Sequence, residues 1–182
     1  MKRTLIKCGW LVTLDPKIGE IKGGELLYRG NTIEAAGRNL GAAADEVIDA
    51  SDKIVMPGLV NAHMHTWETA LRGIGAEWLS ADYFKHVHSN LATRYQPEDN
   101  YLANLMGALA QIDAGVTTLV DWCHNITSLE MAERAVDGLA DSGIRAVFAH
   151  GTAKPIGLAS CSGTTATRSP AWTSNWPSAA GG

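Results

Sequence analysis

From residue 3 to residue 56 the apolar positions fall in short runs separated by polar and glycine-containing breaks. TLIKCGWLVTLD (4–15) and GELLYRGNTIEAAG (24–37) read as strands, the second with a turn signal at Arg29-Gly30-Asn31. DEVIDASDKIVMPG (45–58) predicts two more short strands around Ser51-Asp52. Four short strands without a helical stripe predict a small sheet or half of a sandwich. Its edges stay exposed unless another segment covers them.

From residue 55 the rhythm changes. IVMPGLVNAH (54–63) is a nearly continuous apolar run, the pattern of a strand buried on both faces. A long connection rich in Trp, Gly and His follows over 66–96. A helix is then predicted, with Pro97 in its first turn and Glu98 and Asp99 complementing its positive end. Its stripe is Leu102, Leu105, Met106, Leu109 and Ile112, and Gly115 ends it. VTTLVDW (116–122) is a β-branched strand. Ser128 caps a second helix with the stripe Leu129, Ala132, Val136 and Leu139, which ends at Gly143. IRAVFAH (144–150) predicts a third buried strand. The β-α-β-α-β order implies parallel strands with right-handed crossovers. Beyond Gly151, residues 152–182 are mostly Gly, Pro, Ser, Thr and Ala, with no Asp or Glu. That composition reads as a disordered tail, and its abrupt onset also fits a shifted reading frame.

Composition narrows the function classes. The 182 residues are 46% hydrophobic and 19% charged, a globular balance. A net charge of -4 gives no basic field for nucleic acid or anionic lipid. Cys8, Cys123 and Cys161 are odd in number and scattered, which predicts reduced thiols and a cytoplasmic location. The N-terminus is basic and then apolar, but Lys7 and Asp15 interrupt it and no small-residue cleavage site follows. No stretch is long enough to span a bilayer.

The candidate chemistry lies in PGLVNAHMHTW (57–67). Residues i and i+2 of a strand share a face, so His63 and His65 can reach one ion while Met64 packs behind. They stand at the C-terminal end of a predicted parallel strand, where α/β proteins place their chemistry. Two histidines are half a site, since a catalytic zinc needs about three protein ligands and an open position. His86 and His88 form a second HxH, whose rings diverge on a helix and read as surface residues. His124 and His150 follow predicted strands and are candidates for a pocket rim. Trp67 is a candidate to stack on a flat heterocycle, or to pack in the core. Glu68 lies near the pair without an assigned role. Gly73-Ile74-Gly75 lacks the third glycine of a dinucleotide loop, which disfavours half of a nucleotide-binding domain.

MPGLVNAHMHTWETALRG, AGVTTLVDW and DGLADSGIRAVFAHG together resemble the first three strand regions of the amidohydrolase superfamily. The resembling branch holds cytosine deaminases, chlorohydrolases and S-adenosylhomocysteine deaminases. The resemblance covers about residues 1–154 and implies an α/β fold in three parts. Residues 1–56 would be half of a β-sandwich and 57–151 about three strands of a (β/α)8 metal-dependent hydrolase barrel, and the third part, 152–182, is the tail that composition alone sets apart. It implies that His63 and His65 are ligands of a divalent zinc or iron ion, and that Asp121 has a structural role at the strand end. Trp67 and His124 would meet a small-molecule substrate. The implied reaction adds hydroxide to an sp2 carbon and expels ammonia, an amine or chloride. The family's further ligands, on strands 5 and 8, and its acid/base residues beyond strand 4 have no counterpart here. No catalytic acid or base is therefore assigned. The competing expectation is an inactive fragment that associates through open sheet edges.

Overall fold

The computed structural model describes residues 1–151. The expectation of a disordered tail over 152–182 lies outside the described residues. The chain divides into two units, Met1–Gly58 and a second beginning at Leu59.

The first unit is one sheet of five strands: β1 (Arg3–Val12), β2 (Glu20–Lys22), β3 (Glu25–Arg29), β4 (Thr32–Gly37) and β5 (Glu46–Val55). β1 is its centre. It pairs antiparallel with β2 and β3 and parallel with β5, and β3 pairs antiparallel with β4. Gly30 takes a φ of 58° in the β3–β4 turn, as the Gly-Asn signal requires. Leu5, Cys8, Leu11, Leu27 and Ala50 form the buried apolar set. Two details differ from the sequence reading. The three-residue β2 was not predicted. The two strands expected around Ser51-Asp52 are a single ten-residue β5. The polar pair sits where the register slips, between the pairs Cys8–Ala50 and Trp10–Ile54. Such a bulge looks like a strand break in sequence but keeps the strand continuous.

The second unit is a parallel three-stranded sheet in the order β6 (Leu59–Met64), β7 (Val116–Cys123), β8 (Arg145–His150). α2 (Pro97–Asp113) and α3 (Leu129–Ser142) are the crossovers. At the start of α2 the Asp99 carboxylate accepts from the Gln96 backbone N–H at 2.8 Å. The Ser128 hydroxyl accepts from Met131 N, and Gly143 closes α3 with a φ of 78°. The connection over 66–96 is largely helical, with a 3-10 turn (Thr66–Leu71), the short α1 (Ser80–Tyr83), a π-helix (Phe84–Leu91) and a 3-10 turn (Ala92–Arg94).

Burial corrects the sequence reading in two places. β6 was expected to be buried on both faces and β8 to be buried, yet Leu59, Val60 and Val147 are exposed. Each of these strands has one neighbour, and among the described residues nothing covers the remaining edges. The predicted α2 stripe is likewise turned outward at Leu102, Met106, Leu109 and Ile112. α2 instead buries Asn100, Ala103, Asn104, Gly107 and Ala108. Close approach selects these small residues. A Cβ on Gly107 would lie 2.3 Å from Thr69 Oγ1, and one on Gly138 of α3 would lie 2.4 Å from the Tyr101 carbonyl oxygen of α2. No helix among the described residues is long and apolar enough to cross a membrane.

Candidate metal centre

β6 ends at Met64, which packs against the core formed by Ala108, Val116, Leu119, Leu139 and Ile144. The flanking histidines meet each other, with the ring centroids of His63 and His65 5.2 Å apart. His65 Nδ1 lies 2.9 Å from the Trp122 carbonyl oxygen at the end of β7. The carbonyl can only accept, so Nδ1 is the donor, which leaves Nε2 as the nitrogen available to an ion. This is how a metal-ligating histidine is usually oriented by an outer partner. On that observation the pair fits a divalent ion. The rings border an open cleft of about 270 Å³, lined also by Met64, Glu68, Thr69 and Arg72.

Beneath the cleft lies a polar network. Asp121 is fully buried and accepts from the Thr66 backbone N–H at 2.9 Å and from Asn104 Nδ2 at 3.0 Å. Burial pushes its carboxyl up to about 6. Asn104 also donates to the Ala135 carbonyl, and Asn100 and Asn125 bond reciprocally at 2.8 and 3.2 Å. These bonds tie α2 to the end of β7 and hold Thr66 directly after His65. The structural role expected for Asp121 matches this geometry. Asn100 and Asn104 escaped the sequence reading, although two asparagines four apart on an apolar helix share a face.

His124 is buried against His65, with centroids 4.2 Å apart, and stacks on His88 at 4.6 Å. Burial, with His65 and His88 alongside, holds its imidazole down to about 3. Its contact with Glu68 at 4.0 Å is therefore between a neutral ring and a carboxyl, not an ion pair. Burial raises the pKa of Glu68, against the lowering effect of the hydrogen bond donated by Tyr83.

His86 and His88 were both read as surface residues. His86 is half-buried beside Trp78, while His88 is buried. The π-helix turns His88 inward, a geometry that α-helical spacing does not anticipate. Trp67 is fully buried against Tyr95 and His124 in the core with Val87, Ala92 and Ile126, the position of the packing alternative. His150 ends β8 opposite Cys123 and is half-buried.

No family model matches the chain. Among curated proteins it is 34% identical over 156 residues to a 5'-deoxyadenosine deaminase from Methanosarcina acetivorans, covering 83% of this chain and 34% of that protein. It is 32% identical over 108 residues to a 5-methylthioadenosine/S-adenosylhomocysteine deaminase from Pyrococcus furiosus, covering 59% and 26%. The chain thus spans about a third or less of the length of these relatives. Its fold matches the zinc complex of atrazine chlorohydrolase from Arthrobacter aurescens TC1, with a TM-score of 0.73 at 23% identity, over 81% of this chain and 35% of that one. Sequence and fold together show that the chain belongs to the amidohydrolase superfamily, of which it matches the N-terminal part.

Proposed function

We propose that this chain supplies the first two metal ligands, His63 and His65, of a hydrolase acting on a carbon–nitrogen bond of a small heterocyclic substrate. The observation that carries the reading is the His63–His65 pair at the end of the first parallel strand, with His65 Nδ1 held by the Trp122 carbonyl. In this reading β6, β7 and β8 are the first strands of a (β/α)8 barrel, and Met1–Gly58 is half of a small sandwich. A zinc or iron ion held by the pair would activate water for attack on an sp2 carbon. Glu68 lines the same cleft as the pair. His124 supports His65 from below. The buried thiols Cys8 and Cys123 fit a reducing cytoplasm.

Alone, the chain is expected to be inactive, because two histidines fall short of the three or so protein ligands of a catalytic zinc. Ammonia release from 5'-deoxyadenosine with zinc supplied should stay at background. The Methanosarcina acetivorans deaminase carrying residues 57–151 of this chain in place of its matching segment should be active. The same graft with His63→Ala and His65→Ala should not be. An active double-alanine graft would overturn the ligand assignment.

Self-association belongs to the same reading. β6 and β8 each present an unpaired edge among the described residues, beside exposed Leu59, Val60 and Val147. Sizing chromatography with light scattering should show species larger than the 19.4 kDa chain. A monodisperse monomer would contradict this.

A further inference from the structure

Glu68, His88 and His124 each offer one ligand atom, and these three atoms lie within 4.8 Å of one another. They come from separate elements: the 3-10 turn after β6, the π-helix, and the end of β7. We propose that Glu68, His88 and His124 form a second divalent-cation site of zinc type, beside the His63/His65 pair and sharing no ligand with it.

Two imidazoles and one carboxylate are a donor set of catalytic zinc sites. Around such an ion, ligand atoms stand roughly 3.4 Å apart, given bonds of about 2.0–2.1 Å. The set must therefore close by little more than about an ångström. Both rings are more than nine-tenths buried, at 9% and 7% exposure, and each has an Nδ1 with no hydrogen-bond partner. Buried polar atoms are rarely left unpaired, so the partnerless Nδ1 of His88 calls for an explanation, while His124 faces Glu68 with Nε2, at 4.0 Å, the nitrogen that would ligate. Tyr83 supplies the outer support. Its hydroxyl donates to Glu68, and its oxygen faces His88 Nε2 at 3.2 Å. With its own proton committed to Glu68, the phenol oxygen accepts the Nε2–H. The lone pair of His88 then falls on Nδ1, the nitrogen without a partner. The π-helix that brings His88 inward is a rare element, concentrated at functional sites.

The test uses the full chain with Zn(II) or Co(II) alone, by equilibrium dialysis and the visible spectrum of bound cobalt. A His63→Ala, His65→Ala chain should still hold one ion. A His88→Phe, His124→Phe chain, which keeps the two stacked rings, should lose that ion. Glu68→Gln, nearly isosteric, should weaken it, and Tyr83→Phe should do so by about 10–100-fold as an outer-shell change. Far-UV circular dichroism checks that each variant keeps its fold. A metal-free His63→Ala, His65→Ala chain would overturn the second site and leave the His63/His65 reading standing. Unchanged binding in the double phenylalanine chain would also overturn it. If the parent holds no more metal than the double-alanine chain, the His63/His65 assignment fails and the second site stands.

Discussion

Replacing Trp67 with alanine is expected to lower the free energy of unfolding by about 3–5 kcal/mol. The indole has no exposed surface and fills the space between Tyr95, His124, Val87 and Ile126. Removing it opens a cavity lined by groups from the 3-10 turn, the π-helix and the end of β7, which cannot all close in. Trp67→Phe should cost much less. It keeps most of the ring packing and removes an indole N–H that is buried without a partner, a group whose desolvation costs about 1–3 kcal/mol. Urea melts followed by circular dichroism at one fixed protein concentration measure both. If Trp67 were a substrate platform at the cleft, alanine would leave the melt nearly unchanged.

Gly138→Val is the second large effect, expected to cost about 3 kcal/mol. Two terms oppose each other at this position. A glycine within a helix is less favourable than alanine by about 1 kcal/mol, so substitution gains something locally. Against this, any Cβ at Gly138 would stand 2.4 Å from the Tyr101 carbonyl oxygen and 3.0 Å from Leu105 N. Both are backbone atoms of α2, so no rotamer change relieves the clash and the helices must part. Parting them also strains the Asn104 bond to the Ala135 carbonyl, which crosses the same interface. Ala140→Val, on the exposed side of α3, is the control and should change stability by only about 0.5 kcal/mol. Equal effects at the two positions would contradict the close α2–α3 packing.

Much of the second unit was legible because its signals are local. Ser128 and Gly143 mark the ends of α3 through cap chemistry that depends on a few adjacent residues. VTTLVDW reads as a strand from β-branching alone, and His63 and His65 share a side because a strand repeats every two residues. What was not legible depends on distant neighbours. The outward phase of α2 follows from how closely α3 and the 3-10 turn approach it at Gly107 and Gly138, and periodicity favours the larger leucines and methionine. The inward His88 needs a π-helix, whose register differs from that of an α-helix. The group of Glu68, Tyr83, His88 and His124 joins residues from separate segments, so no spacing rule announces it. β2 is three residues long and carries too little alternation to stand out, and a register slip disguised β5 as two strands.

The central claim, that His63 and His65 hold a divalent metal, is tested most directly by anomalous diffraction at the zinc edge on crystals of the zinc-loaded chain. The account predicts a peak about 2.0–2.1 Å from one nitrogen of each ring, with His65 Nδ1 still on the Trp122 carbonyl. A zinc-loaded chain with no peak at that pair, or with the two rings turned to opposite sides of β6, would contradict it.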